Sequence, residues 1–419
     1  MNTSSRRSPA ARTAGAPWPL ALVGALAAAR VAVLALRPRG GLIRPDPVDV
    51  SAYFASDDIA RARRFGRPQL ALQAATGVAQ TGVLAAFASR AGRLPGGATA
   101  RQRRARGVPL HPLREAAAVG AGLTLAVELA SLPPRALARG RARAAGLSTQ
   151  TWGGWAGDAL KGGALGLALN AAAAPVGVAL MRRFPRGWWL PGAGVALAGA
   201  GTLTFLSPVL LDPLFNRFTP LPAGPVREAV LELAASAGVS VGEVYEVDAS
   251  RRTRAANAYV TGLGATKRVV LYDTLLGELT LEEVRLVVAH ELAHVRHRDV
   301  PRGLAHLALS APAGMYAVAQ LTRRLDRSGG GSRDGSHGVR ASRSGGESPP
   351  SAASLPALAL ALGVVSGGVG SLSCALSRAV ERRADAFSLT LTEAPIYVVS
   401  NNAGVMKANV NAPEGFAAH

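Results

Sequence analysis

Long apolar stretches alternate with short basic ones along most of this chain. Apolar runs fall at Trp18–Leu36, Gln69–Ala88, Glu115–Leu132, Ala159–Leu180, Trp188–Leu211, 303–322 and 355–376. Each is close to the roughly 20 residues a helix needs to cross a bilayer, so they predict about seven membrane spans. Trp188 and Trp189 suit an interfacial belt at the start of the fifth. A cleaved signal is the alternative for the first run. A retained anchor fits better, because the run is long, holds Arg30 and is followed by Arg37-Pro38-Arg39. Glu128, inside the third run, favours a face toward an internal cavity.

Between residues 211 and 302 the pattern changes. Pro222 to Gly238 reads as a soluble amphipathic helix. Val241–Val247, Ala256–Thr261 and Arg268–Tyr272 read as strands. Then Thr280 and Glu283 form a capping-box start, and Leu281, Val284, Val288, Leu292 and Val295 make an apolar stripe. The resulting organisation is a membrane domain over 1–210, an α+β region over 211–302, and two further spans over 303–376. A Gly/Ser/Arg linker at 326–354 joins those two spans, and residues 377–419 hold a last helix and the tail.

Composition agrees with insertion in a lipid bilayer. Charged residues make up 17% and hydrophobic ones 49%, against about 25% charged in ordinary soluble domains. The net charge of +21 does not indicate nucleic acid. The arginines fill the gaps between apolar runs, and no aromatics interleave with them as a single-strand binder needs. The one cysteine, Cys374, excludes an internal disulfide and is expected in inert core.

The candidate chemistry lies on the capped helix, where His290-Glu291-Leu292-Ala293-His294 reads H-E-x-x-H. Residues four apart share a helix face, so both imidazoles can hold one Zn²⁺ while Glu291 takes a proton from water on the metal. The bland alternative is a surface helix with two chance histidines. A third ligand is needed. His297 is near in sequence, but such a ligand normally comes from another segment. Glu381 and Asp385, four apart, can face one side of a downstream helix, with Glu381 on the metal and Asp385 orienting a ligating histidine. Alone, that pair is a weak signal.

Jointly, several stretches resemble the integral-membrane zinc metalloproteases of the CAAX prenyl protease 1 type. They are His290–His294, Ser377-Arg378 through Glu381 to Asp385, Asn257–Gly262, Arg268–Leu276, Gly146–Trp152 with Trp155 and Asp158, and Pro213–Asn216. The resemblance covers most of residues 50 to 390. It implies Glu381 as third ligand, Glu291 as general base, and a segment including Asn257, Ala258, Tyr259 and Val260 as an edge strand that pairs with substrate. Adding a strand to a sheet edge holds an extended peptide well. The fold class expected is mainly α: a polytopic membrane protein with a small gluzincin-like α+β domain, binding one Zn²⁺ per chain.

The expected function is a membrane-embedded zinc metalloendopeptidase acting on peptide or membrane-protein substrates. It is placed in the cell membrane as a multi-pass protein. Basic residues fall almost equally on the two sides of the expected spans, so a cytoplasmic catalytic face rests on the resemblance. A transporter and a catalytically impaired or truncated relative acting as a membrane scaffold are the competing readings. The second arises because the resemblance fades after Leu391–Pro395. Residues 396–419 lack the His-Pro segment and nearby arginine of the family. An oxyanion donor is typically worth about 10² to 10³ in kcat, so weak hydrolysis is expected of the chain.

Overall fold

The computed structural model describes residues 16–42, 51, 54–90, 111–262, 267–329, 351–393, 397–400 and 406–409. Five long helices come first: α1 (Trp18–Leu36), α2 (Ser56–Arg90), α3 (Pro112–Ala144), α4 (Trp152–Arg183) and α5 (Trp189–Leu210). The first and fifth match the apolar runs almost residue for residue. The second starts at Ser56, ahead of its apolar run, with Pro68 inside it, and the third continues through Pro133 and Pro134. The gap of 133–158 between the third and fourth apolar runs therefore shrinks to 145–151. A proline removes one backbone hydrogen bond. Helices packed side by side tolerate that loss, and a stop signal read from sequence ignores the neighbours.

The small domain follows. A short helix, α6 (Asp212–Phe215), leads into β1 (Phe218–Pro220), α7 (Pro225–Ser236), β2 (Glu243–Val247), β3 (Ala258–Thr261), β4 (Arg268–Tyr272), α8 (Asp273–Glu278) and α9 (Leu281–Arg296). The sheet order is β1-β2-β4-β3, with β2 parallel to β4 and both outer pairings antiparallel. β3 thus lies at an edge, as expected. Strand β1, too short to carry an alternation, has no signature in the sequence. Val230 and Leu233 of α7, Val244, Val269 and Leu271 of the sheet, and Val284, Val288 and Leu292 of α9 form one buried core. The capping box of α9 is present: Glu283 accepts from the Thr280 backbone N–H at 2.8 Å, and Thr280 Oγ1 accepts from the Glu283 N–H at 3.4 Å.

Two long helices return to the bundle, α10 (Asp299–Gly329) and α11 (Leu355–Thr392), and a hairpin of β5 (Tyr397–Ser400) and β6 (Met406–Asn409) comes last. Most of the linker expected at 326–354 lies outside the described residues, but its first four residues complete α10. The span at 355–376 and the Glu381 segment, expected as separate elements, are one continuous helix of 38 residues. At 1.5 Å per residue it is about 57 Å long, against roughly 30 Å of hydrocarbon, so its last turns can project out of a bilayer.

Among the described residues, six helical segments are long and apolar enough to cross a membrane: α1 to α5 and Ala352–Thr392. The seventh expected span, 303–322, lies within α10. That helix packs among α1, α5 and α11 and buries His306, Ser310 and Thr322. The second core joins Ala21 and Ala25 of α1, Val178 and Met181 of α4, Ala317 to Leu321 of α10, and Leu355, Leu358 and Ala361 of α11. The carboxylate of Glu128 pairs with Arg135 at 2.8 Å. One expectation needs correction here. Cys374 is exposed on α11 rather than buried; an apolar run cannot reveal which of its faces meets lipid and which meets protein.

A polar cluster ties the membrane helices to the small domain. Arg252, just past β2, donates to Asp158 of α4 at 2.9 Å, to Asn216 at 2.5 Å and to the Phe215 carbonyl. Gln150 donates to the same Asp158 at 2.6 Å, and Arg139 of α3 holds the backbone carbonyls of Gln150 and Thr151. Two stretches that sequence alone could only match by resemblance, the one holding Asp158 and Pro213–Asn216, thus meet at one guanidinium.

The α3–α4 contact depends on a missing side chain. A Cβ on Gly120 would sit 2.6 Å from Ala174 Cβ and 3.0 Å from the Asn170 carbonyl oxygen, whereas one on Gly122 meets nothing within 4 Å. Gly120→Ala should therefore force the helices apart and cost about 1–3 kcal/mol. Gly122→Ala should leave the thermal transition of the detergent-solubilised protein unchanged or slightly raised. Equal transitions for the two variants would refute the close approach.

Candidate metal centre

Helix α9 places His290 and His294 on one face, with their Nε2 atoms 3.2 Å apart. Across from them α11 brings Glu381, whose Oε2 lies 3.3 Å from His290 Nε2 and 3.6 Å from His294 Nε2. These three groups could hold a metal ion, all ligand atoms falling within 4.8 Å of one another. The spacings suit one cation. Bonds of about 2.0–2.1 Å in tetrahedral geometry put neighbouring ligand atoms about 3.3 Å apart, close to the three distances above.

The outer ring nitrogens are also held. His290 Nδ1 lies 2.9 Å from Asp385 Oδ1, as expected for Asp385, and His294 Nδ1 lies 3.1 Å from Asp299 Oδ2. With Nδ1–H committed to a carboxylate, each Nε2 is left to present its lone pair inward, the tautomer a metal requires. Burial works against the charged form of His290. The hydrogen bonds to Asp385 and Glu381 outweigh it and lift the pKa to about 10.

Glu291 sits beside the cluster, and burial pushes its carboxyl above the ordinary range. The two histidines oppose that shift and Glu381 adds to it. A carboxylate raised in this way is a better proton acceptor near neutral pH than a solvated one. His297 belongs elsewhere: its Nδ1 lies 2.9 Å from the Ala293 carbonyl and its ring packs edge-on against Phe387.

Asp299 is the site residue that the sequence did not disclose. In the sequence, Asp299-Val300-Pro301 reads as no more than the end of a helix. The chain ends α9 with Arg298 in the left-handed region (φ 56°), which turns Asp299 back toward His294. Asp299 also accepts from Arg302 and, across the helix interface, from Arg383. Burial disfavours its charge, but the bond to His294 and both arginines hold its carboxyl below the usual range.

The edge strand lies against this helix, since α9 packs across β3. Asn257 O accepts from the Tyr272 N–H at 3.0 Å. By the alternation of an antiparallel ladder, Tyr259 and Thr261 also turn their backbone groups toward β4, and Ala258 and Val260 turn theirs to the open edge. The Ala258 N–H meets only the Asn257 side-chain oxygen, at 3.0 Å.

Comparison with known proteins agrees with this arrangement. Residues 220–419 match the model of peptidase family M48, and residues 142–217 match that of the CAAX prenyl protease N-terminal region, described as five membrane helices. The two matches together support a metalloprotease of the CAAX prenyl protease type. It is 36% identical over 249 residues to an uncharacterized metalloprotease of Bacillus subtilis, covering 59% of this chain and 55% of that one. A CAAX prenyl protease 1 homolog of Arabidopsis thaliana is 48% identical over 88 residues, 21% of each chain. The chain thus spans about half the length of the Bacillus relative it matches and less of the plant one. The crystal structure of S. mikatae Ste24p superposes with a TM-score of 0.65 over 90% of this chain and 89% of that one, at 19% identity, a likeness of fold.

This is an integral membrane protein with an M48 peptidase domain, which removes the transporter reading. The M48 match runs on through residues 396–419, where the resemblance was expected to fade. Nothing in the comparisons favours the weakly active scaffold over the peptidase. Apart from the β5–β6 backbone, the segment lies outside the described residues.

The geometry separates direct ligands from the groups that hold them. Glu381→Ala should lose most bound metal, measured by elemental analysis after dialysis. Asp385→Asn should keep the site but weaken it by about 10 to 100-fold. Full metal retention in Glu381→Ala would mean that another group completes the site.

Proposed function

We propose that the chain is a membrane-embedded zinc metalloendopeptidase, with His290, His294 and Glu381 as ligands, Glu291 as general base and the open edge of β3 as the peptide-binding strand. The observation that carries this reading is the convergence of three ligand atoms with a buried glutamate on a helix that packs across a strand edge left unpaired among the described residues. Two imidazoles and one carboxylate in a closed triangle suit zinc, and they leave room in the coordination sphere for water or substrate. Zinc bound there supplies Lewis acidity, polarising a carbonyl and acidifying water.

The rest falls to side chains of this protein. Asp385 and Asp299 keep the imidazoles in the required tautomer. Glu291, raised by burial, accepts a proton at its carboxylate oxygen and can deliver it to the leaving amine nitrogen. The backbone N–H and C=O of Ala258 and Val260 are turned outward, so an extended peptide can add as the next strand, with its scissile carbonyl carried past α9. Asn257 and Tyr259 flank these contacts. Tyr259 is half-buried, with its phenol pushed well up by burial, so it stays neutral and can serve as a hydrogen-bond donor.

The relatives' name, CAAX prenyl protease, makes peptides with a prenylated C-terminal motif the first substrate class to test; unmodified peptides from membrane proteins are the second. We place the catalytic face on the cytoplasmic side. The support is family likeness.

Two measurements test this reading. Glu291→Gln should keep about one zinc per chain and lose about 10² to 10⁴ in turnover, because it removes the base without touching a ligand. Loss of zinc together with activity would place Glu291 among the ligands instead. Ala258→Pro and Val260→Pro should raise KM, or stop cleavage, at unchanged zinc content. Proline deletes the outward N–H that a docked peptide needs. Unaltered kinetics in both would show that substrate does not pair with β3.

A further inference from the structure

The metal cluster is built from two helices, and the structure holds them together by a second route that avoids the metal. Asp299 divides its two oxygens. Oδ2 lies 3.1 Å from His294 Nδ1, while Oδ1 accepts from both Arg302 and Arg383. Arg302 comes from the same helix as Asp299, three residues on. Arg383 comes from α11, between Glu381 and Asp385, and lies 84 residues from Asp299. Both side chains of that pair are only 9% exposed. A chain of contacts therefore runs from Arg383 through Asp299 to His294 on one side, and from Asp385 and Glu381 to His290 on the other.

We propose that Arg383 is a positioning residue for the metal site, acting through Asp299 to fix the ring of His294 and to clasp the Glu381 helix to the helix that carries both histidines. The proposal rests on the metal-site reading given above. Were a guanidinium needed only to balance the Asp299 charge, Arg302 would suffice. Arg383 alone of the two reaches Asp299 from the helix with the third ligand, so only it couples the ligand set. A carboxylate locked from both sides is also a directional acceptor, and a charge-assisted bond to Nδ1–H makes the opposite ring nitrogen a stronger donor to a cation.

The test uses the full chain purified in detergent and stripped with a chelator. Zn²⁺ affinity is measured by competition with a chromophoric chelator, and the visible spectrum is recorded with Co²⁺ in place of zinc. Asp299→Asn and Arg383→Gln should each weaken Zn²⁺ binding by about 10 to 100-fold. The double variant should lose no more than the weaker-binding single one, because the two act in series. Arg302→Gln should lose far less. The Co²⁺ bands should change in position or intensity in Asp299→Asn and Arg383→Gln and stay as in the parent in Arg302→Gln. Arg383→Lys keeps the charge and should recover part of the affinity, which retains a readable outcome if Arg383→Gln does not fold. Parent-like affinity and spectrum in either folded Arg383 variant would overturn the clasp, as would additive losses in the double variant. A parent protein that binds neither ion would overturn the metal-site reading itself, a result distinct from either.

Discussion

Everything in this molecule depends on the meeting of α9 with the last turns of α11. At that contact four carboxylates, Glu291, Glu381, Asp385 and Asp299, come within reach of two imidazoles in a partly buried space. Like charges gathered away from water repel one another and each is poorly solvated, so nothing local favours the arrangement. Imidazole N–H groups, two guanidinium groups and a cation are what can balance it. The raised pKa of His290 and the lowered one of Asp299 express the same balance from its two sides. A site of this kind has to be imposed by the scaffold around it, and its affinity for a cation is the measure of how firmly that is done.

The scaffold does so with long helices and dry packing at a distance. α10 starts at Asp299, beside the cluster, and runs into the bundle core. α11 starts in that core and ends at the cluster. Both lever arms are anchored where Ala317, Val318 and Ala319 meet Leu355, Leu358 and Ala361. Small residues let the helices approach closely, as at Gly120, and without a hydrophobic driving force in lipid such approach is a main source of helix association. The Arg252 cluster performs the matching task on the other flank, joining α4 and the Asn216 turn to the segment that leads into β3. The open edge of β3 and the His290–His294–Glu381 cluster are thereby referenced to the same membrane helices from opposite ends.

Much of the fold was legible because its signals are local. Strand β4 and helix α1 occur over the residues their patterns predict, and the capping box set the start of α9. Local signals misled where neighbours decide the outcome. Pro68, Pro133 and Pro134 do not end their helices, and the Glu381 segment is no separate element. Cys374 is apolar in context yet exposed, because a span buries one face and offers the other to lipid.

The sequence by itself determined the chemistry and the medium. His290 and His294 share a helix face at fixed spacing with Glu291 next in the chain, and the runs of apolar residues are long enough to cross a bilayer whatever the rest of the chain does. Those properties follow from helix geometry and transfer free energy, which act within about 20 residues. Tertiary structure alone decided how α11 delivers Glu381 and Asp385 to that face, that Asp299 turns back to His294, and that Arg383 closes the circuit. These contacts join residues far apart in the chain or across a left-handed turn at Arg298, and no period or spacing encodes them. They depend on how α9, α10 and α11 are held against one another at their ends, which packing in the two apolar cores decides.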